Sequence, residues 1–366
     1  MMRYARSAAL MVAAMLAVTA CGGSGGGGEE SGAGGSGKPR IKLVINGGLG
    51  DKSFFDSAHE GLKKGQKDLD YELKVVELGS DRTKWQPGFE DAAAADDYDI
   101  LASGTFEVTD FIGDLAPQYP DKKFWVFDAP VDYSGANGTC SNKCENVYSV
   151  TFKQNEGGYL AGFLAEKLVA EKALKGAESA RKVGVIGGVK TPVIEDFVVG
   201  FKAGFKDAGG KNSDVLVQYV GGDKPFGDPA KGKEISTAMY GQGAALVWPV
   251  AGLSGLGTFE SAVTAKRYTF GVDSDQYRTL TDQAQKDTVV TSILKNVGTA
   301  LYKAARADQE DSLKYGAVDT VGLADDAVGY VDDDHFRELV PEKIRTELQS
   351  AADKVKSGSA TVPSAF

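Results

Sequence analysis

Aromatic, acidic and basic residues recur just past the apolar runs of this chain: Asp51 and Phe54, Phe106, Asp128, Phe197, Asp273 and Lys295, with Gly252 and Gly255 in a turn of small residues. Ring faces stack on flat or apolar groups, an ionised carboxylate only accepts hydrogen bonds, and an ammonium only donates them. Such a set does binding chemistry. Any one phenylalanine taken alone reads as core packing. The carboxylates resist that reading, because a core position would leave each of them buried without a partner.

Catalysis finds no comparable constellation. Gly50-Asp51-Lys52-Ser53 has the outline of a phosphate loop, but Asp51 stands where that motif needs glycine, and its charge repels phosphate. Gly252-Leu253-Ser254-Gly255 has the outline of a nucleophile elbow, with Leu256 in the place of its second glycine. His59 and His335 are the only histidines, which argues against a serine-histidine-acid hydrolase. Asp332-Asp333-Asp334-His335 reads as a helix cap with solvated charge before it reads as a metal site. The chain is not expected to be an enzyme, and it calls for no cofactor or metal.

The elements that must position these residues alternate. Residues 41–45 form an apolar, β-branched strand, a glycine-rich loop follows over 47–55, and a helix then carries Phe54, Ala58 and Leu62 on one face. The unit recurs with strands predicted at 71–78, 100–104, 123–129 and 147–152 and helices at 88–95, 108–119 and 157–170. It restarts with strands at 182–188, 215–221, 244–251, 268–275 and 288–294. The helices of this second half are expected at 194–208, 230–240, 258–266, 297–308 and 342–355. The pattern predicts an α/β fold of two doubly wound parallel-sheet lobes joined by a hinge. The N-terminal lobe is expected over 38–153 plus about 297–316, and the C-terminal lobe over 154–296 plus about 317–366. Ligands of open α/β sheets sit at the carboxyl ends of the strands, where the singled-out residues fall. A ligand held there between two lobes would keep the hinge shut.

The ends of the chain and its composition bear on its address. With 366 residues, 42% hydrophobic and 25% charged, it has globular composition and length for two domains. Residues 1–20 have the form of a secretory leader, with Arg3 and Arg6 ahead of an apolar run too short to span a bilayer. Val18-Thr19-Ala20-Cys21 resembles a bacterial lipobox, which implies cleavage before Cys21 and a lipid on its sulfur. Residues 22–37, nearly all glycine and serine, are expected to be a tether. The formal charge of −10 disfavours nucleic-acid polymers and anionic lipid surfaces as partners. Cys140 and Cys144 read as a disulfide outside the cytoplasm; a metal site lacks further ligands.

A series of segments carries a resemblance. GGLGDKSFFDSAHEG (47–61), YPDKKFWVFDAP (119–130), NVYSVTFKQNEGGYLAGFLA (146–165), the stretches 182–205 and 219–257, FGVDSDQY (270–277) and SILKNV (292–297) stand in family order. Together they resemble the basic membrane protein family of nucleoside-binding lipoproteins, similar to type I periplasmic binding proteins. The resemblance implies a base, purine by preference, sandwiched between Phe54 and Phe197 with Asp128 on its edge. It implies ribose contacts from Gly252, Gly255, Asp273 and Lys295, with Asp51 and Phe106 in the same pocket. It also implies a monomer on the outer face of the cytoplasmic membrane, held there only by its lipid, delivering nucleosides to an ABC permease and its ATPase. A ligand sensor signalling to a membrane receptor, or a binder of sugars or other small solutes, would use the same fold. Phe55 stands where the family has asparagine, Leu253 where it has glycine and His59 where it has an aromatic residue.

Overall fold

Runs such as Leu43, Val44 and Ile45, or the β-branched and aromatic residues of 244–250, lack polar alternation and are fully buried, the condition for strands covered on both faces. The computed structural model describes residues 37–366; the leader, Cys21 and the tether to residue 36 lie outside them. Residues 38–366 form one compact unit.

The first lobe is built from β1 (Arg40–Ile45), α1 (Phe54–Leu69), β2 (Glu72–Glu77), α2 (Trp85–Ala94), β3 (Ile100–Gly104), α3 (Thr109–Leu115), β4 (Lys123–Phe127) and β5 (Val147–Phe152). The chain then crosses over and repeats the scheme. The second lobe opens with α4 (Gln154–Ala170), β6 (Lys182–Gly187), α5 (Pro192–Asp207), β7 (Val215–Tyr219), α6 (Pro229–Gly241) and β8 (Ala244–Val250). It continues through α7 (Leu256–Ala265), β9 (Tyr268–Asp273), the short α8 (Gln276–Thr279) and α9 (Gln283–Lys286), and β10 (Val289–Lys295). A second crossing brings α10 (Val297–Gln309) onto α1 and adds β11 (Ala317–Val321) to the first sheet. A third returns the chain for β12 (Val328–Tyr330), α11 (Asp334–Leu339) and α12 (Glu342–Lys356).

The first sheet is ordered β11-β5-β4-β3-β1-β2 and the second β12-β10-β9-β8-β6-β7. Every pair is parallel except β12 on β10. Both lobes therefore reverse direction of winding between their first and third strands, the place where open sheets bind ligands. One lobe boundary differs from the sequence expectation. Residues 317–321, expected in the second lobe, pair instead with β5, Ala317 opposite Tyr148 and Val321 opposite Phe152. As an edge strand with Val318, Asp319 and Thr320 exposed, β11 carries no hydrophobic pattern that names its sheet.

α4 and α5 touch backbone to backbone. A Cβ on Gly162 would sit 1.9 Å from the Phe201 carbonyl oxygen, and one on Gly204 1.9 Å from that of Tyr159. Only glycine permits this approach, and it fixes the helix that carries Phe197 against the helix that leads in from the first lobe. Cys140 and Cys144 form the expected disulfide, both buried in the loop packed on α3. Asp333 caps α11 by accepting from the Phe336 amide at 2.9 Å, and His335 stacks on Tyr277.

Candidate ligand-binding cleft

The carboxyl ends of both sheets open on one cleft of about 250 Å³. Some of its lining residues have positive φ: 112° at Thr105, 83° at Asp128, 63° at Asp273 and 51° at Gly252. Aspartate tolerates that region better than most residues, and β-branched threonine tolerates it poorly. Strain of this kind persists where a site holds it.

At one end of the cleft three side chains converge from both lobes. Asp128 follows β4, Asp273 ends β9 and Lys295 ends β10. Lys295 is 3% exposed, and its ammonium donates to Asp128 at 2.6 Å. Asp273 accepts from the Ser53 hydroxyl across the lobes at 3.3 Å. Burial pushes the Asp273 carboxyl up to about 6; Lys295 pulls it down, the neighbouring Asp51 and Asp128 push it up again, and Ser53 pulls down. For Lys295, burial favours the neutral amine, yet Asp128 and Asp273 outweigh it and hold the ammonium above its ordinary value.

Asp51, expected to face the ligand, also serves the fold. Its oxygens accept from the amides of Ser53, Phe55 and Asp56 at 2.9 to 3.1 Å, satisfying the first turn of α1 where no cap residue does so. Burial raises this carboxyl in spite of the three amides. Phe55, in the place of the family's asparagine, lays its ring over Gly47 and meets Phe54 edge-on at 5.2 Å, so the substitution props the Phe54 ring.

The ring pair differs from the expectation. Phe197 is 2% exposed and packs edge-to-face on Trp248 at 5.6 Å. The Lys295 ammonium stands 4.8 Å from the centroid of Phe54 and 5.2 Å from that of Phe197. The ammonium is thus within cation–π range of both rings proposed to sandwich a base. The second lobe offers another aromatic face, Phe226, in the loop after β7. Its ring lies on Gly188, where any Cβ would approach it to 2.2 Å, and it meets Phe106 of the first lobe at 6.5 Å. Asp128, expected on the base edge, accepts from Lys295 through one of its oxygens. Gly252 lines the cleft, whereas Gly255 lies behind it against Pro249.

The lobes are tied across the cleft mouth. Lys52 donates from Nζ to the Thr279 carbonyl at 2.9 Å, and Ser274 donates from Oγ to the Lys52 carbonyl at 2.7 Å. Sequence reasoning missed Phe226, Asn46, Thr105, Glu107 and Arg82, all of which line the cleft. Their positions one to seven residues past strands were the available signal.

Two α/β lobes with a closed, charged and aromatic cleft at facing strand ends define a solute-binding protein. Residues 38–361 match the family described as Bmp, ABC transporter substrate-binding protein PnrA-like, and the chain belongs to that family. It is 29% identical to basic membrane protein A of Borreliella burgdorferi, over 91% of this chain and 90% of that protein. It is 30% identical to the ABC transporter nucleoside-binding protein BmpA of Lactococcus lactis, over 91% of this chain and 92% of that one. A solved ABC transporter solute-binding protein from Aeropyrum pernix superposes with a TM-score of 0.74 at 21% identity, covering 89% of this chain and 94% of its own. Proteins of this class bind a small molecule outside the cytoplasm and work with a permease and an ATPase. Among the described residues no helix is long and apolar enough to cross a membrane.

Proposed function

We propose that this chain is a lipid-anchored nucleoside-binding subunit of an ABC importer. The observation that carries the reading is the buried Asp128, Lys295 and Asp273 group set beside the Phe54 ring in a cleft between lobes. A nucleoside is a flat ring joined to a sugar bearing hydroxyls, and it needs both kinds of partner side by side. The base is placed between Phe54 and Phe226, and the ribose against Asp273, Asp128 and Lys295, with hydroxyls donating to carboxylates and the ammonium donating to sugar oxygens. The name of the Lactococcus relative supports the substrate class.

Titration calorimetry with nucleosides, free bases, monophosphates and sugars tests this. Nucleosides should bind more tightly than their bases, which lack the sugar, and than their monophosphates, which bring like charge to Asp273. Affinity should also depend on pH. Hydroxyls donate to the ionised Asp273, whereas the ligand-free protein protonates it below about pH 6. Nucleoside binding should therefore be about tenfold weaker at pH 5 than at pH 7.5, and Asp273→Asn should be weak and flat over that range. Monophosphates or sugars binding as well as nucleosides, or a pH-independent wild type, would remove the ribose assignment. For the anchor, Cys21→Ala should release the protein from membranes with nucleoside affinity unchanged; a variant that stays bound through a carbonate wash refutes the lipid.

A further inference from the structure

The cleft has a second polar end that the ring and sugar assignments leave unused. Asn46 follows β1, Arg82 follows β2, and Thr105 and Glu107 follow β3. Asn46 Nδ2 donates to Thr105 Oγ1 and to Glu107 Oε2, each at 3.3 Å, and Arg82 pairs with the other Glu107 oxygen. The Glu107 side chain is 10% exposed and that of Arg82 51%, so the carboxylate is held in the wall by an outer cation. Burial raises the Glu107 carboxyl and Arg82 opposes the rise.

Strand spacing places this group at the distance a base edge would reach. β4, β3 and β1 are successive neighbours, so the ends carrying Asp128 and Asn46 lie two spacings, about 10 Å, apart. That is the long dimension of a nucleoside. With the sugar at Asp128, Asp273 and Lys295, the far edge of the base arrives at Glu107, whose neighbour Phe106 already meets Phe226. A carboxylate offers about four lone-pair positions. Arg82 and Asn46 occupy two, which leaves an acceptor pair for adjacent N–H donors, while their own N–H groups stand beside it for an acceptor.

We propose that Glu107, oriented by Arg82 and Asn46, is a specificity residue that selects a 2-amino-6-oxopurine, the guanine type of base. This rests on the nucleoside reading above. Guanine presents its ring N1–H and 2-amino group side by side, next to the oxo group that Arg82 or Asn46 can serve. Hypoxanthine lacks the amino donor. Adenine turns a ring lone pair toward the carboxylate, which leaves two acceptors facing each other and a buried oxygen without its donor.

Calorimetry of the full chain and of Glu107→Gln with guanosine, inosine, adenosine and uridine provides the test, with thermal melts of both proteins alongside. Wild type should prefer guanosine over adenosine by about tenfold or more, with inosine between them. Glu107→Gln should weaken guanosine about ten- to a hundredfold and leave adenosine equal or tighter. Arg82→Gln, at a half-exposed position, should narrow the same ratio and supplies the answer if Glu107→Gln loses its cooperative melt. Equal wild-type affinities, or a guanosine preference that survives either variant, overturn the inference and leave the nucleoside reading standing. A wild type that binds no nucleoside overturns both.

Discussion

Lys295→Met should abolish nucleoside binding and destabilise the protein by about 3–5 kcal/mol. Lys295 is 3% exposed, and its ammonium is the cation that Asp128 and Asp273 share, with Asp51 also near enough to push Asp273 upward. Methionine keeps most of the length and the apolar stem of the side chain, so what is lost is chiefly the charged end. The carboxylates then face one another in a site screened from water, and at least one must take up a proton. A neutral Asp273 accepts ribose hydroxyls poorly, which couples the loss of binding to the loss of charge balance. The double variant Lys295→Met, Asp128→Asn separates the two effects. Removing both partners should restore most of the stability, because the uncompensated charge is gone, and should restore no binding. Urea denaturation and calorimetry read the two outcomes. A single variant as stable as wild type and still able to bind would show that the pair is a bystander to the site.

The two-lobe plan was legible because its strands are buried on both faces. Runs such as those of β1, β4 and β8 leave little room for another reading, and the ends of β4, β9 and β10 pointed to Asp128, Asp273 and Lys295. β11 and β12 were not legible in the same way. Their pairing depends on which edge is free in three dimensions, and β11 is mostly exposed. Phe226 was missed because DKPFGDP has the composition of an exposed turn, with no periodicity to show that a ring lies inward on Gly188. Phe197 carried the opposite signal. With Phe201 and Phe205 it repeats every four residues along α5, and such a stripe marks a helix face turned to the core. The polar group of Asn46, Thr105 and Glu107 draws on two strand ends brought together by the β1–β3 neighbourhood, a relation that no local pattern in the chain displays.

The choice between Phe197 and Phe226 should appear as a division between stability and affinity. Phe54→Ala and Phe226→Ala are each expected to weaken nucleoside binding about ten- to a hundredfold, the loss of one stacked face. Both rings are partly exposed in the cleft, so their melting points should move little. Phe197→Ala should behave as a core truncation and destabilise the fold by about 3–5 kcal/mol. Its ring is buried against Trp248 on one side and against the Lys295 stem and ammonium on the other. Some loss of affinity would follow in Phe197→Ala as Lys295 relaxes, so the decisive comparison is with Phe197→Leu. That change keeps most of the packing and removes the π face, and it should bind nucleosides within about threefold of wild type if the ring only supports Lys295. Affinity measured by calorimetry against stability measured in urea places each variant on one axis or the other. Should Phe197→Leu lose binding as fully as Phe54→Ala while Phe226→Ala retains it, the base lies deeper than proposed. Lys295, whose ammonium stands 4.8 and 5.2 Å from the centroids of the Phe54 and Phe197 rings, would then have to move when ligand enters.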